Sequence, residues 1–185
     1  MKRTFIAVRA EAGEELREMI IALRSELRND NIKWVDINNM HITLAFLGET
    51  AFDLISPVSM LLKERCSGFG AFNFTIRGLG LFRDFHDPRV IWAGIGASDE
   101  FSDLHMIVRQ GLISIGIKPD ERQFKPHLTL GRINRLKNTG VLKRMIGKHE
   151  NQIFQTVSVR EVVYYESILQ PSGPLYLPIF VCKLL

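Results

Sequence analysis

PHLTLGR, residues 126–132, shares its centre with HITL, residues 41–44: histidine, an apolar residue, threonine and leucine in the same order, the two histidines 86 positions apart. Side chains alternate along a strand, so residues i and i+2 share a face about 6.5–7 Å apart. Read as strands, His41 and Thr43 point one way and Ile42 and Leu44 the other, while His127 and Thr129 oppose Leu128 and Leu130. Each copy therefore predicts a strand with one face to bury and one to use. Two copies this far apart are too sparse for a solenoid, whose repeats must stack on their neighbours. The simplest arrangement that employs both is a pair of pseudo-symmetric lobes, each donating a central strand to a shared cleft.

The flanking sequence supplies the rest of those lobes. RTFIAV (3–8) reads as an opening strand, and Leu16, Met19, Ile20, Leu23 and Leu27 recur at helical spacing after it. IKWV (32–35) is a short strand, Asn38 and Asn39 mark a turn, and HITLAFLG is a strand closed by Gly48. A helix follows over 53–66. FNFTIRGLGLF and RVIWAGIG form a hairpin around the turn-forming RDFHDP, and an amphipathic helix spans 100–115. After HLTLGRI come a short helix at 139–148, one long β-type run FQTVSVREVVYYES, a loop LQPSGP, and a terminal strand whose Pro178 predicts an edge or a bulge. Strands joined mostly without helical crossovers, interrupted by three or four helices, predict an α+β class with antiparallel sheets rather than a doubly wound parallel sheet.

The chain has 185 residues, 46% of them apolar and a formal charge of +4. That suits one domain, residues 1–185, with a sizeable core, and its mild basic excess favours an anionic partner without requiring one. Cys66 and Cys182 lack metal-type spacing and read as reduced packing thiols of a cytoplasmic protein. The apolar run Phe5–Val8 is too short for a signal peptide, and no stretch approaches the roughly 18 apolar residues of a membrane span, so no membrane partner is expected.

Two imidazoles and two hydroxyls around one cleft have a definite chemical competence. Opening a phosphodiester needs a base for the attacking water and an acid for the leaving oxygen, and histidines near their ordinary pKa of about 6.5 hold both states at neutral pH. Thr43 and Thr129 can donate to non-bridging phosphate oxygens, and Arg132 can add a charge-assisted contact. A single H-x-T reads as an ordinary structural histidine; the second copy in a matching strand reverses that reading. Zinc is the other use of paired histidines, but no third or fourth ligand stands at suitable spacing.

His86 falls in a loop, and His105 and His149 in helical contexts, so all three read as structural. Lys118, Arg122, Lys125, Arg132, Arg135 and Lys137 flank the second motif, with Asp120 and Glu121 the acids between them. Such a run is commonly a solvated surface, though it can also track an RNA backbone. Trp34, Phe46 and Phe124 lie near the motifs, where an aromatic ring packs in a core or stacks on a base.

RTFIAV, KWVDINNMHITLAFLGE, PRVIWAGI, FKPHLTLGR and YYESILQPSGPLY, in this order, resemble the 2H phosphoesterases, and among them the RNA 2′,3′-cyclic phosphodiesterases also described as 2′-5′ RNA ligases. The resemblance runs almost end to end. It implies a bilobal 2H phosphoesterase fold, two antiparallel sheets lining a central cleft with helices outside. It further implies an enzyme without metal or cofactor, acting on RNA with a 2′,3′-cyclic phosphate end or on a cyclic nucleotide; a monomer is expected. The product implied is a 2′-phosphomonoester. By motif position His41 and His127 are the catalytic pair, Thr43 and Thr129 the phosphate-binding hydroxyls and Arg132 a phosphate contact; the family pattern favours His41 as acid and His127 as base. Two alternatives stand beside hydrolysis: the reverse joining of RNA ends such as tRNA halves, and a nucleotide- or RNA-binding module, whose hallmark would be loss of one motif histidine. RAEAGEE in place of a proline-containing turn, and Met40 where leucine is usual, depart from the pattern without touching the chemistry.

Overall fold

The computed structural model describes residues 1–120, 123–171 and 173–185. Its strands are β1 (Lys2–Arg9), β2 (Asn31–Trp34), β3 (His41–Thr50), β4 (Phe72–Phe82), β5 (Val90–Ile95), β6 (His127–Arg135), β7 (Ile153–Val159), β8 (Glu161–Gln170) and β9 (Gly173–Lys183). The helices are α1 (Glu14–Glu26), α2 (Phe52–Cys66), α3 (Asp99–Ser114) and α4 (Thr139–Lys148). Two antiparallel sheets result, one ordered β3-β1-β8-β9 and the other β2-β6-β5-β4-β7.

The helices form where their sequences dictate. Leu16, Met19, Ile20 and Leu23 give α1 one buried stripe, and Glu14 and Glu15 in its first turn complement the helix dipole. Ser98 caps α3 by accepting from the Phe101 N–H, and Asn138 caps α4 by accepting from the Gly140 N–H. The helices α2 and α3 pack on the first sheet, α1 and α4 on the second. One apolar cluster runs through both layers, from Ile6, Ile42 and Leu44 through Phe101 and Leu104 to Leu128, Leu130 and Phe154. A second, small cluster of Phe5, Ala7, Val163 and Tyr165 occupies the opposite face of the first sheet. This is why five successive residues of β1, Thr4 to Val8, are buried: the strand is covered on both faces.

Several expectations change. The strand β3 is not central: among the described residues its one strand neighbour is β1, whereas β6 lies between β2 and β5. Nor does Gly48 close β3. Leu47 drops out of the ladder, Gly48 takes φ +69, which its missing Cβ permits, and pairing resumes through Thr50. The run 154–167 is two strands: β7 joins the second sheet, the chain turns at Arg160, and β8 joins the first. The LQPSGP loop tightens into a hairpin, with Gln170 facing Gly173 and Ser172 outside the described residues. Pro178 fulfils both halves of its expectation, on an edge strand beside a register shift.

Candidate active site

Both H-x-T strands carry the same irregularity. In β3, Thr43 pairs with Ala7 and Ala45 with Ile6, so Leu44 is an extra residue. In β6, Thr129 pairs with Trp92 and Gly131 with Ile91, so Leu130 is extra. A bulge of this kind lets two successive residues face the core before alternation resumes. After the threonine, the next side chain on the open face is therefore the fifth after each histidine: Phe46 opposite Phe5 in β3, Arg132 opposite Val90 in β6.

The histidines are held alike. His41 Nδ1 lies 2.7 Å from the Asn39 carbonyl and His127 Nδ1 2.7 Å from the Lys125 carbonyl, each two residues upstream. A carbonyl only accepts, so Nδ1–H donates and the Nε2 lone pair is left for the cleft in the neutral ring. An aromatic edge steadies each ring. Tyr176 meets His41 at 5.2 Å and 89°, with Phe5 at 4.9 Å, and Phe82 meets His127 at 4.5 Å and 88°. Beside Thr129, its cross-strand partner, the Trp92 indole lies across β4 so closely that a Cβ on Gly80 would fall 2.2 Å from it.

The strands β3 and β6 approach each other across the cleft, and the charges register this. Burial holds His41 below the ordinary imidazole pKa, helped by the positive charges of Arg132 and His127 and opposed by the Asn39 carbonyl. Burial also lowers His127, with Arg132 adding to the effect and the Lys125 carbonyl opposing it. Burial raises the Tyr176 phenol while Arg132 and Arg3 pull it down, which sets Tyr176 in the same electrostatic neighbourhood. Among the described residues the Thr43 and Thr129 hydroxyls make no hydrogen bond and Arg132 no ion pair. His41, His127 and Arg132 are thus near enough to feel one another's charge, and Thr43 and Thr129 share the strand faces of the two histidines, the hydroxyls and the guanidinium unengaged and each imidazole tied only through Nδ1. Among the described residues no group of three His, Cys, Asp or Glu side chains is placed to hold a metal ion.

Other candidates sort themselves by position. Trp34 packs against the core beneath Arg24, and Phe124 stacks on His105, which leaves Phe46, 51% exposed, as the open ring on the cleft face. Lys118, Lys125, Arg135 and Lys137 lie at the surface, and Arg122 and Glu121 lie outside the described residues. His86 sits in its surface loop; His149 is buried at the end of α4, its Nδ1 against Gln152 Oε1. Tyr176, Phe82 and Trp92 carry no local mark in the sequence, because each ring meets the site from another strand. The one signal for Tyr176 was its place at the end of the segment YYESILQPSGPLY.

The profile of the family described as LigT-like phosphoesterase matches residues 6–92 and 95–176. An RNA 2′,3′-cyclic phosphodiesterase of Methanothermobacter thermautotrophicus is 31% identical, covering 98% of each chain. One of Thermotoga maritima, of the same name, is 33% identical over 98% of this chain and 95% of its own. Among solved structures, a protein of Thermus thermophilus superimposes with a TM-score of 0.80 at 25% identity, covering 98% and 97% of the two chains. E. coli LigT, solved with 3′-AMP, gives 0.76 at 23% identity, covering 99% and 98%, a likeness of fold.

Proposed function

The chain belongs to the LigT-like phosphoesterase family, and from that premise we propose that it hydrolyses the terminal 2′,3′-cyclic phosphate of RNA to a 2′-phosphomonoester, by general acid and base catalysis without a metal. The observation that carries this reading is the matched pair of imidazoles, each fixed through Nδ1 and offering Nε2 to one cleft. Water attacks phosphorus as His127 Nε2 takes its proton. The bond from phosphorus to the 3′ oxygen breaks, and His41 gives that oxygen a proton, leaving a 3′ hydroxyl. Thr43, Thr129 and Arg132 donate to the non-bridging oxygens, where negative charge concentrates. Since both imidazoles lie low in the free protein, the proton on the acid arrives with the anionic phosphate, whose charge raises the pKa of the ring it touches.

A site completed within one chain supports action as a monomer. Cys66 and Cys182, buried and unpaired, support a reducing, cytoplasmic setting. Among the described residues no helix is long and apolar enough to cross a membrane.

The test is product analysis with end-labelled, cyclic-phosphate RNA. The expected product is a 2′-phosphate, undiminished in EDTA, and His41→Ala or His127→Ala should each lower kcat by about 10²- to 10⁴-fold. Activity lost in EDTA and restored by zinc, or a 3′-phosphate product, would sink the proposal. A joined strand as the main product would assign the reverse reaction to the same residues.

A further inference from the structure

A bulge leaves the carbonyl of its extra residue without the regular ladder partner, and a carbonyl in a packed setting needs a donor. For Leu130 in β6 the donor is the backbone N–H of Val35, just past the end of β2, at 2.9 Å. For Leu44 in β3 no flanking strand exists on that side among the described residues. Its carbonyl is met instead by Nδ1 of His105, projecting from α3, again at 2.9 Å. Both carbonyls thus meet an N–H at ordinary hydrogen-bond length, in β3 with an imidazole standing in for the missing strand. A carbonyl accepts only, so His105 carries its proton on Nδ1.

The other side of the His105 ring is equally occupied. It stacks on Phe124 with ring centres 4.0 Å apart and planes inclined by 2°. Phe124 stands three residues before His127, beside Lys125, whose carbonyl orients the His127 ring. One side chain therefore touches the bulge that separates Thr43 from Phe46 and the segment that delivers His127.

We infer that His105 is a positioning residue, locking the β3 bulge through the Leu44 carbonyl and holding the His127 approach against it, so that both H-x-T strands keep their spacing across the cleft. This rests on the catalytic reading of His41 and His127 given above. Small displacements of reacting groups are costly when rate depends on alignment, so the loss should fall on kcat rather than KM.

Two variants separate the contributions. His105→Phe keeps a ring to stack on Phe124 but loses the donor; His105→Asn keeps an N–H near the Nδ1 position. With cyclic-phosphate RNA, H105F should lose about ten-fold in kcat with KM changed less than about two-fold, while H105N recovers to within about three-fold of the unmodified protein. Melting temperatures establish that both variants are folded. A readout independent of turnover is the NMR signal of the His41 and His127 rings, together with the Leu44 carbonyl carbon. In H105F the Leu44 carbonyl should shift upfield and both imidazole signals should move. If the Leu44 signal reports a broken bond while the imidazole signals and kcat stay put, the inference is overturned. If the unmodified protein turns over no cyclic phosphate, the functional reading fails and the imidazole signals still decide the positioning role.

Discussion

Phe46 and Arg132 occupy the same place in two copies of one strand, and under the proposed function the difference between them would divide the labour of the cleft. Each follows its histidine by five positions, and each reaches the open face because a bulge precedes it. Arg132 brings a guanidinium whose charge already depresses His41 and His127. Phe46 brings an apolar ring, 51% exposed and 6.2 Å from Phe5. A phosphate calls for the first and a base for the second, so the two substitutions should separate by substrate. Loss of a charge-assisted contact of about 1.5–3 kcal/mol makes Arg132→Ala cost about ten- to a hundred-fold in kcat/KM on any cyclic phosphate. Phe46→Ala removes a stacking contact of about 1–3 kcal/mol, visible mainly in KM and only where the substrate carries a base. Initial rates on a cyclic-phosphate dinucleotide and on ribose 2′,3′-cyclic phosphate lacking a base make the comparison. An Arg132→Ala protein unimpaired on the baseless substrate would contradict the assignment.

Between elements, the contact that sets the floor of the cleft is the Trp92 ring of β5 lying over Gly80 of β4. Gly80 is needed for space, since its φ is not among the positive ones. Gly80→Ala forces a rigid, half-buried indole to move, at a cost of about 1–3 kcal/mol of overpacking strain, and tilts the residue paired with Thr129. Urea unfolding should show that loss, whereas Gly70→Ala, with open space around it, should change stability by less than about 0.5 kcal/mol. Equal effects at the two glycines would mean that Trp92 yields freely. The same sheet shows what a sequence does and does not encode. Strict alternation in H-x-T and helical spacing in Leu16–Leu27 are local patterns, and the elements they predict are present. The bulges are not visible, because HITL and HLTL keep their alternation through Leu44 and Leu130, the very residues that prove to be extra, and the shift is decided by Ala7, Ile6, Trp92 and Ile91 on partner strands. The break at Arg160 was hidden for a related reason: β7 and β8 have equal strand character, and which sheet each joins depends on distant partners. His105 looked structural because the carbonyl it serves belongs to a strand 61 residues away.

Across the whole molecule, the echo between the halves of the sequence does not divide the chain into N- and C-terminal lobes. Strands β1 and β3 share a sheet with β8 and β9, joined through the β1–β8 pair, while β2 and β4 share a sheet with β5, β6 and β7, so both halves of the chain build each sheet. Global stability and the geometry of the site are then coupled, and the coupling has a pH signature. Burial lowers the pKa of His41, His105 and His127 in the folded state. Unfolded, each titrates near 6.5, so the unfolded chain binds protons first as pH falls. Their contribution to stability is complete above about pH 6.5 and is lost as pH drops through the folded values. The lowered carboxylates Asp84 and Glu100 work in a separate window, their contribution being lost as pH falls below the ordinary carboxylate range. Thermal melts at about pH 7.5 and pH 5.5 should therefore show a fall in Tm that the carboxylates do not cause. Replacing His105 by Asn should flatten the fall by removing one of the three groups. Under the proposed function inorganic phosphate should bind the cleft and oppose the fall, by favouring protonated His41 and His127 in the folded state. A Tm that is level across this interval, with or without phosphate, would show that the imidazoles accept protons without cost and that burial does not hold them neutral.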